Sequence, residues 1–118
     1  MDSAELSRRA ALLALEKKAK DLIVLYIGGL SPMADYFLIC SAANALQARA
    51  IADHVEEQLA TQGVMVRHRE GYDRARWILL DYGGVVIHVF HELERSYYDL
   101  ERLWGDAPVT MAEEIAQA

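Results

Sequence analysis

Cysteine is nearly absent from this chain of 118 residues, which contains Cys40 alone. A single thiol excludes an internal disulfide framework and the zinc sites that are built from several thiolates. Long apolar runs are absent as well, and no segment reaches the length needed to span a membrane. The leucines near the N-terminus are flanked by charged residues on both sides, unlike the apolar core of a secretory signal. These absences predict a cytoplasmic protein.

Positive charge is also scarce in this sequence. The chain has 12 lysines and arginines against 18 acids, a formal charge of −6 and a pI near 5.1. Proteins that bind mainly to phosphate backbones normally present a basic surface, because counterion release supplies most of their affinity. The one basic cluster is diluted by Glu70 and Asp73, and it consists of Arg67, Arg69, Arg74 and Arg76. Nucleic acid is therefore not expected as the main partner, and a basic protein suits this acidic domain better.

The first half of the chain shows helical and strand patterns in turn. Five elements are predicted from the spacing of apolar residues and from the turn and capping residues around them. They are a helix over residues 4–19, strands over 22–27 and 35–41, a helix from Asn44 to Gly63 and a short strand over 64–68. Asp2 or Ser3 is the expected N-cap of the first helix, because either side chain can accept a hydrogen bond from a free backbone N–H.

A β-hairpin is the strongest local prediction. Two β-rich runs, Trp77–Asp81 and Val85–Phe90, flank the pair Gly83-Gly84. A two-residue turn pairs Leu80 with Ile87 and makes one face uniformly aliphatic, with Ile78, Leu80, Val85, Ile87 and Val89. The opposite face is mixed and carries Trp77, Leu79, Asp81, Val86, His88 and Phe90. A slip of one residue would mix the two sets, so the two-residue turn is preferred.

The last firm pattern is a helix from about Glu92 to Trp104. Its predicted apolar side consists of Leu93, Tyr97, Leu100 and Trp104. No pattern follows it, and residues 109–118 are predicted to be a C-terminal tail. The order of elements predicts an α+β fold in a single domain over residues 1–108, whose core spans 20–105. We expect a mixed sheet of about five strands with flanking helices.

Candidate catalytic and metal-binding residues are few. His88 and His91 precede Glu92, but they lie three residues apart at the end of a strand and should point to opposite faces. Cys40 lies within the most apolar strand, where a thiol is normally inert. Asp35 begins a strand, as a metal-binding acid of nucleotidyltransferases does, but the second acid of an Asp-x-Asp pair is missing. We therefore expect no metal, no cofactor and no catalytic activity.

Two aromatic residues lie outside the predicted aliphatic faces. Trp77 falls on the mixed face of the hairpin, and Tyr98 falls on the polar side of the last helix. Aromatic side chains are enriched at protein interfaces. We interpret both residues as candidate contacts with a protein partner, although burial of Trp77 beneath a helix is an equally good alternative.

Seven short motifs in this order resemble the ribosomal silencing factor (Iojap-like) family. They are DYFLIC at Asp35–Cys40, IADHV at Ile51–Val55, EG at Glu70–Gly71, WIxxD at Trp77–Asp81, VxIHV at Val85–Val89, the residues Glu92, Arg95 and Tyr98, and LERLW at Leu100–Trp104. No single motif is specific. Their shared order, over roughly residues 20 to 105, makes the resemblance specific.

The resemblance implies a function and a partner. The family binds the large ribosomal subunit through large-subunit ribosomal protein fourteen, sterically blocks joining of the small subunit and so represses translation. It is also linked to assembly of the large subunit, and its fold is nucleotidyltransferase-like without catalytic acids. Together with the acidic charge, the resemblance implies contacts with that basic protein from Glu70, Trp77, Asp81, His88, Glu92, Tyr98 and Asp99.

The sequence departs from the family pattern at three places. An acid is usual where this chain has Tyr26, Thr-Gly where it has Ser41-Ala42, and Asp where it has Gly84 in the hairpin turn. Two other functions stay open at this point. One is a nucleotide-binding or nucleotidyltransferase-related enzyme, and the other is a homodimer or assembly chaperone without silencing activity.

Overall fold

The structure is a computed structural model that describes residues 1–98, 105 and 107–117, with side chains described for residues 1–95, 105 and 107–115. Four helices lie in this part of the chain: α1 (Ser3–Glu16), α2 (Ala45–Thr61), α3 (Glu92–Tyr98) and α4 (Ala112–Gln117). Six strands lie there as well: β1 (Lys20–Tyr26), β2 (Tyr36–Ala42), β3 (His68–Glu70), β4 (Trp77–Asp81), β5 (Val85–His91) and β6 (Val109–Met111).

The six strands form one mixed sheet in the order β3-β4-β5-β2-β1-β6. Strands β2 and β5 are parallel, and the other neighbouring pairs are antiparallel. Parallel strands need a long crossover, and here α2, β3 and β4 lie between them along the chain. The α+β class and the mixed sheet are confirmed, with six strands where about five were expected.

Both long helices begin at residues with capping side chains. The Asp2 carboxylate accepts a hydrogen bond from the backbone N–H of Glu5 (2.8 Å), and the Asn44 side chain accepts one from Gln47 (2.8 Å). Each bond satisfies a donor that the first helical turn leaves free. The predicted N-cap Asn44 is confirmed, and Asp2 rather than Ser3 caps α1.

Helix α1 ends at Glu16, three residues before the predicted end at residue 19. Lys18 adopts a left-handed backbone conformation, with φ of 63°. This turn brings the Ala19 N–H to the Ala14 carbonyl oxygen at 3.2 Å. The backbone thus leaves the helix in a turn that satisfies a terminal carbonyl, and β1 begins two residues earlier than predicted.

The β4–β5 hairpin has the predicted register. Leu80 pairs with Ile87 and Ile78 with Val89, and the Tyr82 N–H donates to the Val85 carbonyl at 2.9 Å. Gly83 has φ of 89°, a conformation that favours glycine. The two-residue turn therefore segregates the side chains of the hairpin into the two faces expected from the sequence.

Strand β3 differs from its prediction over residues 64–68. The structure places it at His68–Glu70, where all three residues are exposed and charged or polar. It forms by pairing with β4, with Arg69 opposite Leu80. Val64 and Val66 instead pack against the core from the preceding loop. The apolar pair predicted the strand wrongly because tertiary pairing outweighs local preference in such short strands.

Residues 109–117 form regular structure where an unpatterned tail was expected. Strand β6 pairs with β1, with Val109 opposite Leu25 and Met111 opposite Ile23. Helix α4 then packs against α1 and buries Ile115. Its short apolar side offers too few residues for a periodic signal, so this segment is not evident from the sequence.

The sheet has two different faces. We call the face that packs against α1, α2 and α4 the helix-covered face; it is built around the aliphatic core of Leu38, Ile51, Ile78, Leu80, Ile87 and Val89. We call the opposite face the mixed face; its buried cluster includes Ile23, Leu25, Phe37, Ile39 and Phe90, with Trp77 packed against it. Leu93 was predicted on the apolar side of the last helix, but it is 79% exposed.

Candidate functional site

Four of the predicted contact residues lie on the mixed face of strands β3, β4 and β5. Glu70 pairs with Leu79 and Leu79 with His88, so these three side chains share one face. Trp77 and Asp81 lie two residues either side of Leu79 and point to the same face. His88 is buried, whereas the other residues on this face are exposed or half-buried. We call these exposed or half-buried residues the β4 patch: Glu70, Trp77, Leu79 and Asp81.

Trp77 is half-buried and is held from below by two neighbours. Its indole Nε1–H donates to Nδ1 of His88 at 3.0 Å. Its ring also stacks on Phe90, with centroids 5.1 Å apart and planes inclined by 25°. These contacts restrict the indole to one orientation while part of it remains accessible. An aromatic group held in this way loses little further conformational freedom when a partner binds.

His88 lies beneath the β4 patch and is only 3% exposed. Burial lowers the pKa of its imidazole to about 4, so the ring is neutral at physiological pH. Because Nδ1 accepts the indole hydrogen, the proton of the neutral ring is on Nε2, which has no hydrogen-bond partner in the described structure. His88 was predicted as a contact residue; its ring is buried and reaches the β4 patch through the hydrogen bond to Trp77. The rings of Phe37 and His88 pack edge to face, with centroids 4.7 Å apart.

The two acids of the β4 patch differ in how free they are. The Glu70 side chain is 64% exposed and interacts with His68 Nε2 at 2.9 Å. Asp81 is half-buried, and its carboxylate accepts a hydrogen bond from the Gly83 N–H in the hairpin turn at 2.7 Å. Glu70 is therefore the more available charge, and Asp81 also stabilises the turn.

The remaining predicted contact residues lie elsewhere. Glu92 forms an ion pair with Lys20 at 3.3 Å, which directs its carboxylate towards β1, four strands from β3 in the sheet order. Tyr98 ends α3, and its side chain lies outside the described residues, as does Asp99. Leu79 was not among the predicted contact residues. The predicted hairpin register placed it opposite His88, and the structure places it opposite Glu70 as well.

Comparison with known proteins places the chain in a family. A solved structure of a Chromobacterium violaceum protein superimposes with a TM-score of 0.86 at 33% identity, covering 89% of this chain and 88% of that one. A ribosomal silencing factor from Bacillus subtilis is 47% identical over 109 residues, 92% of each chain. Another from Halalkalibacterium halodurans is 44% identical over 115 residues, 98% of each chain. The family model described as "Ribosomal silencing factor during starvation" matches residues 1–118. The chain belongs to the ribosomal silencing factor family.

Membership in the ribosomal silencing factor family confirms the resemblance stated from the sequence motifs. It assigns the chain to the ribosome-associated regulators of translation. Among the residues described, no helix is both long and apolar enough to cross a membrane.

The positions that would carry nucleotidyltransferase chemistry are occupied differently in this ribosomal silencing factor. Asp35 is exposed at the start of β2, and Phe37, which shares its face of the strand, is buried where a second metal-binding acid would lie. In the described chain no three His, Cys, Asp or Glu side chains cluster as a metal site. Burial raises the pKa of Cys40 to about 12, opposed by nearby Arg95, so the thiol is not activated.

Gly84, a departure from the family pattern, lies close to the first turn of α1. A Cβ atom at this position would collide with Oγ of Ser3 in the first turn of α1. An aspartate here would therefore require the Ser3 hydroxyl to rotate away. Ser41, another departure, is buried and accepts a hydrogen bond from Arg95 at 3.0 Å, a role that a threonine hydroxyl could also fill.

Proposed function

We propose that this protein binds the large ribosomal subunit in the cytoplasm through large-subunit ribosomal protein fourteen and sterically blocks joining of the small subunit. The observation that carries the proposal is the β4 patch, where a half-buried aromatic side chain and two acids share one face of the sheet. Protein interfaces commonly combine such an anchored aromatic centre with polar residues at the rim.

Charge supports a basic protein as the partner. The formal charge of −6 gives the protein a field that attracts a basic partner. On the β4 patch itself, Glu70 is exposed, and Trp77 supplies the aromatic surface that desolvates on binding. A steric mechanism requires only stable occupancy of the subunit surface, so it places no demand on catalytic residues.

Sedimentation of purified ribosomal subunits with the protein tests this function. We expect the protein to migrate with large subunits, to be absent from small subunits and to reduce the amount of joined ribosomes. Isolated protein fourteen in excess should compete for it and restore joining, whereas a different basic ribosomal protein should not. Failure of the protein to migrate with large subunits would contradict the proposal.

The same assay addresses the enzymatic alternative. Asp35→Asn removes the exposed acid at the start of β2 without touching the β4 patch. We expect this variant to silence subunit joining like the wild type, and we expect no heat of binding when nucleoside triphosphates and magnesium are titrated into the protein. Loss of silencing in a folded Asp35→Asn variant, or metal-dependent nucleotide binding, would favour the enzyme.

A further inference from the structure

Strand β3 separates opposite charges on its two sides. Glu70 lies on the mixed face, as part of the β4 patch. Arg69 is opposite Leu80 and therefore lies on the other side, towards α2. Arg67 precedes β3, and its guanidinium group lies beside Gly83 on the hairpin turn. The edge of the sheet thus presents an acid to one side and arginines to the other.

Three side chains at helical spacing on α2 hold strand β3 and the segment that follows it. Arg49 donates to the carbonyl oxygens of Tyr72 (3.1 Å) and Asp73. Asp53 accepts a hydrogen bond from the Tyr72 hydroxyl at 2.8 Å, and Glu56 forms an ion pair with Arg69 at 2.8 Å. The loop is therefore held against α2 at its backbone and at the Tyr72 side chain, and Arg69 of β3 is held beside it.

Glycine is required where this loop leaves β3. Gly71 has φ of 79°, and a Cβ atom there would collide with the carbonyl oxygen of Trp77. The Ala75 N–H closes the loop by donating to the Gly71 carbonyl at 2.9 Å. These constraints hold the loop backbone in one conformation, so the arginine side chains extend from fixed backbone positions.

The loop surrounds an open depression of about 360 Å³, lined by Arg69, Gly71, Tyr72, Asp73 and Arg74. The Arg69 guanidinium lies over the Tyr72 ring, 4.3 Å from its centroid. Arg74 and Arg76 are exposed, and neither forms an ion pair with an acid in the described chain. We call Arg67, Arg69, Arg74 and Arg76 the arginine edge.

The arginine edge stands out against the charge of the rest of the chain. Residues 67–76 carry four arginines and two acids, whereas the other residues carry eight lysines and arginines and sixteen acids. Glu56 on α2 offsets the charge of Arg69, so the local positive charge comes mainly from Arg74 and Arg76, which form no ion pair in the described chain. Local positive charge on an otherwise acidic protein indicates an anionic partner for that surface. A basic protein would be repelled there, so this partner differs from the one proposed for the β4 patch.

We propose that the arginine edge binds the phosphodiester backbone of RNA on the large subunit, beside the protein contact made by the β4 patch. Guanidinium groups bind phosphate oxygens through paired hydrogen bonds, and the stacked Arg69 and Tyr72 offer a flat surface to a ribose or base. This inference rests on the proposed function, because the large subunit supplies both the protein and the RNA.

The test is a paired charge removal measured on two targets. Arg74→Gln/Arg76→Gln removes two exposed cations of the arginine edge, and Lys17→Gln/Lys18→Gln removes two exposed cations beyond the end of α1 as the matched control. Dissociation constants for all three proteins are measured over a range of salt concentrations, against intact large subunits and against isolated protein fourteen. Thermal melts verify that the variants are folded.

We expect the arginine variant to bind large subunits about tenfold more weakly than the wild type at low salt. The slope of log affinity against log salt should become shallower by about 0.7–0.9 for each phosphate group that the variant no longer neutralises. Its affinity for isolated protein fourteen should not fall, and the lysine variant should behave like the wild type on both targets.

Two results would overturn the inference while leaving the proposed function intact. One is an arginine variant with wild-type affinity and salt slope on large subunits. The other is an equal loss of affinity for isolated protein fourteen, which would assign the arginines to the protein contact. A wild-type protein that does not bind large subunits would instead overturn the proposed function, and the inference with it.

Discussion

Both faces of the sheet contain buried side chains, but the side chains are of different chemical types. Leu80 and Ile87 on the helix-covered face are fully buried among aliphatic side chains from α1 and α2. On the mixed face, Trp77 is hydrogen-bonded to a neutral His88 and stacked on Phe90. Aliphatic packing stabilises a fold without fixing anything at the surface. The mixed face also fixes the orientation of an accessible aromatic ring.

The two faces should differ most in how much a leucine contributes to the free energy of unfolding, and two adjacent residues of β4 allow the comparison. Leu80→Ala is expected to lower the free energy of unfolding by about 2–5 kcal/mol, because it leaves a cavity in the helix-covered core. Leu79→Ala, on the half-buried mixed face, should lower it by about 1 kcal/mol or less. Urea denaturation of both variants measures this contrast. Equal losses would mean that the two faces contribute alike to stability.

The buried imidazole on the mixed face should make stability depend on pH. In the unfolded chain His88 gains a proton below about pH 6.5, whereas in the folded protein it does so only near pH 4. The unfolded state therefore binds more protons between these values, and stability falls as the pH is lowered from about 6.5 to 4, by about 3 kcal/mol. Above pH 6.5 this contribution is fully present.

His88→Asn should flatten that pH dependence, since the amide does not titrate and its oxygen can still accept from Trp77. His68→Asn is the matched control, because it makes the same substitution at an exposed side chain away from the buried cluster. Unfolding free energies measured by urea between pH 4 and 8 decide this. A steep dependence retained in His88→Asn would show that His88 is not its source.

Trp77 should matter more for binding than any exposed apolar residue on the helix side of the sheet. Trp77→Ala is expected to weaken binding to large subunits by at least about 2 kcal/mol, a factor of roughly thirty. Trp77→Phe keeps the stack on Phe90 but loses the Nε1–H, so an intermediate loss is expected. Leu46→Ala, at a residue of α2 that is 77% exposed, serves as the control and should bind normally. Normal binding by folded Trp77→Ala would remove the β4 patch from the interface.

The faces also differ in how far they could be predicted from the sequence. Alternation around Gly83 and Gly84 predicted the hairpin register, because a slip would have moved aliphatic residues out of the core. Given that register, Trp77 and His88 are diagonal neighbours on one face, so their contact was within reach. The burial of His88 could not be predicted from the sequence, because it depends on how other segments pack over the mixed face.

Short edge elements were the least predictable part of the fold. Strands β3 and β6 have only three residues each, and β3 has no apolar residue. Both therefore form because they pair with longer strands, β3 with β4 and β6 with β1. Their positions matter for function, since β3 contributes Glu70 to the β4 patch and Arg69 to the arginine edge. The pairing of β3 with β4, which the local pattern of β3 does not encode, therefore determined the position of Glu70 in the β4 patch.

The smallest effect is expected at the rim of the β4 patch. Glu70 is exposed, so its attraction to a basic partner is screened by solvent and should contribute less than about 1 kcal/mol to affinity. Glu70→Gln should mainly slow association with isolated protein fourteen, because rim charges steer encounters. The difference from wild type should shrink at high salt, where such steering is screened.

Glu57→Gln makes the same charge change on an exposed residue of α2, away from the β4 patch. Stopped-flow association rates at low and high salt, for both variants and the wild type, separate a local effect from one of net charge. A rate reduced by Glu70→Gln but not by Glu57→Gln indicates that the acidic side of β3 faces the basic partner. Equal reductions by both variants would indicate that only net charge steers the encounter, and that Glu70 lies outside the contact.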